Sequence, residues 1–317
     1  MSAEPVLVVG ARGFVGSHVV RKLLMAGRPV HIFGPPMADD LLADLAGRFI
    51  ETHGSVEDPA TFDEVLARSG ARSILSFAAY GEGRKGLAAS GEASAERAIA
   101  VNVLGFRHLL EASRRASVRR VVWASSTVVY GPAELYGDTR VDEEAPRRPR
   151  TVYGLTKTQA EQLGTFYRDR HGMEVCGVRL PLIFGPGRWY VGAADALMRL
   201  FEEAAPDAAP EIEIPAGRFD LLYANDAAEI FVVLEAAVDS LNDRYNVNGF
   251  TTSYAEIAEV LRRHVPGYTP HLIERPAPMA YPLISTARLE RDVAWRPAFD
   301  LERAAEDYLR ALQGGRA

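Results

Sequence analysis

Tyr153 and Lys157 stand four positions apart in "VYGLTK", one helical turn if that segment is helical. Side chains so placed can share one task. Taking a hydride from an alcohol carbon requires the hydroxyl proton to leave as well. A free tyrosine, with a pKa of about 10, accepts it poorly at neutral pH. A lysine on the same face favours the phenolate by its charge. A drop of roughly three units in that pKa corresponds to about 4 kcal/mol of differential interaction between the two protonation states. Helix surfaces also carry such pairs without any chemistry, so the meaning of the segment depends on what precedes it.

Near the start of the chain, "VVGARGFVGSHVVRKLL" reads as strand, glycine turn and helix. Gly10 suits the tight turn, Gly13 lets backbone approach a pyrophosphate, and Gly16 lets helix and strand pack closely. The helix N-terminus then offers free N–H groups and the positive end of its dipole to phosphates. Gly10, Arg12, Gly13, Phe14, Val15 and Gly16 are therefore the expected dinucleotide contacts of this turn.

The elements that must position these groups follow from periodicity. Short β-branched runs, at 6–9, 30–33, 73–77, 118–124 and 175–180, alternate with helical patterns near 14–26, 59–69, 94–116 and 151–171. That alternation predicts an α/β fold, a doubly wound parallel sheet with right-handed crossovers and helices on both faces. Beyond residue 187 it loosens, with strands expected near 211–214 and 245–247 and helices near 226–238, 253–264 and 300–312. The expected division is a Rossmann domain over 1–180, with returns near 220–250, and a smaller, mainly substrate-binding lobe over 181–317. The polar, glycine-rich stretch 80–96 reads as a mobile loop over the site, carrying Arg84 and Lys85.

Composition narrows the partners. A net charge of -6 over 317 residues, without a long basic run, argues against nucleic acid or an anionic membrane surface. The apolar run after the N-terminus is too short for a signal or a membrane span. A single cysteine, Cys176, forbids an internal disulfide and points to a reducing compartment, hence to the cytoplasm. The seven histidines are scattered and no metal site is indicated.

With its glycine spacing and "GFVG", with "VVWASSTVVYG" and with "YGLTK", the chain resembles the extended short-chain dehydrogenase/reductase family, the NAD-dependent epimerase/dehydratase group. Matching segments run from residue 6 to about 308. The resemblance implies an NAD(P)-dependent enzyme in which Ser126, four before Tyr130, holds the substrate oxygen beside Thr127. It implies that Lys157 also binds the nicotinamide ribose and that Asn102 supports the site from behind. Ser55 and Val56 would lie against the adenine, and Ala78 and Ala79 beside the dinucleotide. Many relatives end the second strand with an acid for the adenosine ribose; Gly34 stands there here, and Arg12 stands where NADP-using relatives place a cation. NADP is therefore expected over NAD.

Departures from the family bear on the reaction. Thr127 and Val128 replace the acids of the sugar dehydratases, and decarboxylases also have a glutamate where Val128 stands, which disfavours both chemistries. Leu182 replaces an asparagine that touches nucleotide-sugars, and Phe219 an arginine, although Arg218 is adjacent and Asp220, Tyr223 and Asp226 match. Arg275, twenty residues before Trp295, has the spacing of an arginine that grips a diphosphate. The implied activity is hydride transfer at a secondary alcohol or ketone of a sugar or sugar-like substrate, in the manner of a nucleotide-sugar epimerase. The alternative is a plain NADP-dependent dehydrogenase on a non-nucleotide substrate. A non-catalytic dinucleotide sensor fits less well, because Tyr153 and Lys157 are both kept. The family also implies a homodimer through the helices near 94–116 and 151–171.

Overall fold

The computed structural model describes residues 4–37, 40–190, 192–277 and 279–314. Every residue of β1 (Val6–Val9) is buried, as a β-branched run must be at the middle of a sheet covered on both faces. Around it lie β2 (Val30–Gly34), β3 (Ile50–His53), β4 (Ser73–Ser76), β5 (Arg120–Ser126) and β6 (Glu174–Leu180), joined through α1 (Phe14–Met25), α2 (Pro59–Ser69), α3 (Leu87–Ala93), α4 (Ala95–Ile99), α5 (Gly105–Arg115) and α6 (Val152–His171). A single π-helical turn, Ala100–Leu104, joins α4 to α5.

The rest of the chain holds β7 (Leu182–Phe184), α7 (Asp195–Glu202), β8 (Glu211–Pro215), β9 (Phe219–Tyr223), α8 (Ala224–Ala236), β10 (Arg244–Asn246), β11 (Phe250–Thr252), α9 (Tyr254–His264), β12 (His271–Arg275), α10 (Ala287–Asp292) and α11 (Leu301–Gly314). The main sheet has seven strands in the order β10-β6-β5-β4-β1-β2-β3, all of them parallel. The order reverses between β1 and β4, so the crevice at their carboxyl ends is the place for a ligand. Two small sheets, β11-β9-β7 and β12-β8, build the lobe above that edge.

One face of the main sheet is covered by α1 and α8, which bury Val19, Leu23, Ile230 and Phe231. The other is covered by α2, α5 and α6, with Phe62, Leu109, Trp123 and Tyr167 inside. The lobe has a core of its own around Phe184, Phe201, Tyr254 and Tyr308. Among the described residues no helix is long and apolar enough to cross a membrane.

The stretch 80–96 departs from the loop expected for it. Residues 87–93 form α3, which seals the start of α6: Glu92 Oε1 accepts from Val152 N at 2.7 Å. A Cβ on Gly91 would come within 3.3 Å of Tyr153 N, so the small residues that read as loop are what lets this helix dock. Arg84 and Lys85 remain at the exposed tip, Lys85 paired with Glu82. The edge strand β3 was not anticipated either, because three of its four residues are exposed and its sequence is polar.

Candidate active site

The glycine turn closes the carboxyl end of β1 tightly. Gly10 has φ +73°, and a Cβ there would lie 2.9 Å from Ala78 N, in the turn after β4. A Cβ on Gly16 would strike Gly10 O at 2.4 Å, which is how α1 comes to start against the strand. Gly13 caps α1 without a side-chain hydrogen bond, so no capping side chain claims the first N–H groups of this 12-residue helix. A close-packed glycine cradle with an open helix N-terminus fits a dinucleotide pyrophosphate. Phe14 is buried and meets His18 and Tyr190 edge-on, and Val15 packs into the core. Ala78 borders the turn, and Ala79 follows it in the chain. Val56 is buried with its carbonyl 3.1 Å from His108 Nδ1, while Ser55 is exposed and bonds Glu57.

Arg12 is not a free cation. Its guanidinium lies 2.6 Å from Glu51 and 3.1 Å from Asp40. Gly34 ends β2 beside it without a carboxylate, as the sequence requires.

At the carboxyl end of β5, the side chain of Ser126 accepts from Val128 N, donates to Leu180 O at 3.4 Å, and lies beside the Tyr153 phenol. Thr127 is buried and donates to Leu180 O. Thr151 caps α6 by accepting from Gly154 N at 3.0 Å, which fixes Tyr153 in the first turn. Lys157, one turn on, is 4% exposed and donates to Ala124 O at 2.6 Å. Asn102, in the π turn, braces the helix: its amide donates to Thr156 Oγ1 at 3.0 Å and its oxygen accepts from Tyr80 N at 2.7 Å. The fold therefore brings Ser126, Tyr153, Lys157 and Asn102 together below the glycine turn. Lysine is rare in this chain. Of 36 basic residues only Lys22, Lys85 and Lys157 are lysines.

The electrostatics correct one expectation. Burial raises the Tyr153 phenol above its ordinary value, Tyr190 and Tyr281 add to this, and only Ser126 opposes it. The expected lowering is absent because the Lys157 ammonium points at Ala124 O, 5.6 Å from the centre of the Tyr153 ring, and is itself desolvated. Burial pulls Lys157 down to about 8, with Glu161 opposing. Glu161 sits one turn further along α6 and takes Arg179 through two bonds, of 2.8 and 2.7 Å, and Ser125 at 2.7 Å. Burial is the largest influence and would raise this carboxyl, but the bonds and charge of Arg179, with Ser125 and Arg244, together hold it below the usual range.

The substrate side is built differently from the motifs that suggested it. Leu182 and Phe219 turn into the lobe core, Phe219 stacking on Tyr254. Arg218 is exposed and paired with Glu256 at 2.7 Å, and Arg275 is exposed and paired with Glu213 at 2.9 Å. Asp220, Tyr223 and Asp226 tie the lobe together, to Ile284 N, Asp307 and the N–H groups of Ala298 and Phe299. Tyr190 and Tyr281, which flank Tyr153, were missed. They come from segments without periodicity, where the only signal was aromatic residues beside arginine or proline. Among the described residues no cluster of His, Cys, Asp and Glu could hold a metal ion.

Residues 6–248 match the model of the NAD dependent epimerase/dehydratase family. The chain is 28% identical to the mitochondrial L-threonine 3-dehydrogenase of Sus scrofa over 271 residues, 81% of this chain and 68% of that one. In three dimensions it is similar to a monomeric L-threonine 3-dehydrogenase from a metagenome, with a TM-score of 0.84, 22% identity and coverage of 98% and 100% of the two chains. It is also similar to the Thermus thermophilus UDP-glucose 4-epimerase in complex with NAD, with a TM-score of 0.81, 22% identity and coverage of 98% and 99%.

Proposed function

The chain belongs to the NAD dependent epimerase/dehydratase family, and from that premise we propose that it is a dehydrogenase acting on the secondary alcohol, or the matching ketone, of a small polar substrate without a nucleotide handle. One observation carries the choice. Leu182 and Phe219 stand where the nucleotide-sugar motifs carry an asparagine and an arginine, and both side chains pack into the lobe core. Without that amide and guanidinium the cleft lacks two polar grips on a nucleotide-sugar.

Nicotinamide dinucleotide, bound over the glycine turn, supplies the hydride acceptor or donor. The chain handles the proton. Tyr153 takes the hydroxyl proton and Ser126 holds the substrate oxygen, while Lys157 would hold the nicotinamide ribose and supply the positive charge beside the phenol once the cofactor is bound. Asn102 keeps the first turns of α6 in register with the crevice. Elimination chemistry has no agent here, because Thr127 and Val128 stand where it needs carboxylates.

We read NADP as the preferred form. Arg12 stands in the glycine turn with two acidic partners that a 2′-phosphate would replace, and Gly34 adds no carboxylate at the end of β2. Tighter binding of NAD than of NADP in calorimetry removes this preference. The one specific support for a nucleotide-sugar epimerase is Arg275, exposed at the end of β12 with Glu213 as its partner. The two readings are separated by offering small hydroxy acids, hydroxy amino acids and free sugars beside UDP-, dTDP- and GDP-sugars. Reduced-cofactor absorbance that rises with a small alcohol supports the dehydrogenase. Inverted product with no net change in cofactor supports the epimerase. We take the working form to be a cytoplasmic homodimer paired through α6 and through α5 with the π turn before it, where Phe166 and Leu104 are 56% and 47% exposed.

A further inference from the structure

The Lys157 ammonium is buried, and among the described residues no carboxylate is in contact with it. Glu161, the nearest acid along α6, is engaged by Arg179 and Ser125. Besides the Ala124 carbonyl and the Tyr153 ring, what lies against the ammonium is an indole face: its Nζ sits 5.4 Å from the ring centre of Trp123, on β5. A cation within about 6 Å of an indole face is attracted by the ring quadrupole, and more strongly where water is excluded.

The sheet is built to admit that ring. Trp123 is 4% exposed and pairs in register with Gly177 of β6, where a Cβ would already press to 3.3 Å against three indole atoms. On α6, a Cβ at Gly164 would lie 3.8 Å from the indole nitrogen. Phe106 closes the other side at 4.5 Å between ring centres. Two glycines and one phenyl ring thus hold the indole under the lysine. An aliphatic side chain at this position would fill the core as well but offer no negative face.

We infer that Trp123 is a positioning residue of the proton-transferring pair: its indole face keeps the Lys157 ammonium charged and in place beside Tyr153. This rests on the catalytic reading of Tyr153 and Lys157 above. The titratable groups around the lysine are few. Tyr153 and Glu161 lie on its own helix and Tyr190 and Tyr281 face Tyr153 from outside it, while Ser76, Asn102 and Ser126 are neutral.

The test uses fluorinated tryptophans installed at position 123 alone, which weaken the ring quadrupole stepwise with almost no change in shape. With lysines at only three positions, the ε-carbon signal of Lys157 can be followed by NMR in the protein alone, and Lys22 and Lys85 serve as internal references. The wild-type midpoint is expected at about 8. It should fall stepwise with fluorination and by about half to one and a half units in Trp123→Leu, the range that a cation–π contact supports. The alkaline limb of kcat should move down with it. A midpoint indifferent to fluorination overturns the inference, as does one that falls while the kcat limb stays fixed. Full turnover in Tyr153→Phe strikes the catalytic reading instead, and the cofactor-free lysine titration distinguishes the two failures.

Discussion

At the scale of the residue, the chemistry turns on two side chains that burial works against. The Tyr153 phenol is held up and the Lys157 ammonium is pulled down, so burial shifts each toward its neutral form, although a lysine titrating near 8 is still mostly charged at pH 7. Tyr153→Phe should lower kcat by about 10²–10⁴-fold, the worth of a positioned acid/base, with the cofactor dissociation constant unchanged in titration calorimetry. Lys157→Met should also lose turnover, yet resist urea better than wild type at pH 7. Its sign follows from linkage. The folded lysine titrates near 8 against 10.5 when unfolded, so its charge costs stability below pH 8 and the cost is relieved as pH rises from 8 to 10.5. The gap between variant and wild type should therefore close across that window in urea midpoints. Tyr153, Lys157 and the glycines were legible because their spacing carries a mechanism. Glu161, Tyr190 and Tyr281 were not, since a lone acid on a helix and aromatics in irregular loops have no spacing to read.

At the scale of the element, α6 is fixed by more than its cap. Arg179 on β6 reaches across to Glu161, donates to the Tyr130 hydroxyl at 2.6 Å, and is wholly buried. This network joins α6, the end of β5 and β6 into one block, so the active-site turn inherits its rigidity. Glu161→Leu strands the guanidinium and should cost about 3–5 kcal/mol in urea unfolding, as breaking one side of a buried pair does. Arg179→Leu added to it should recover part of that loss. The depressed Glu161 carboxyl also gives stability that is present above pH 4.5 and lost as pH falls toward its lower folded value. The long β-branched strands were readable because full burial on both faces demands an apolar run. The helix α3 was hidden by the small residues that allow its docking, and β7 and β11 are only three residues long.

At the scale of the whole molecule, apolar residues gather on the outer face of the π turn and α6, where Leu104, Leu155 and Phe166 are all more than 40% exposed. Leu104→Glu combined with Phe166→Glu should convert the proposed dimer to monomer in sedimentation velocity, with the circular dichroism of the fold retained. The chain does not run through the main sheet once and leave it. After the lobe has begun, it comes back to add β10, three residues beside Gly177, Val178 and Arg179 of β6. That short return has a protective value. β6 is buried at its last six positions, and an apolar strand with a bare flank is a template for stacking against other copies. The three residues of β10 occupy that flank, so a piece of the chain cut after β6 would keep the glycine turn and the tyrosine helix but expose an adhesive rim, and it would come out of solution before it could bind anything.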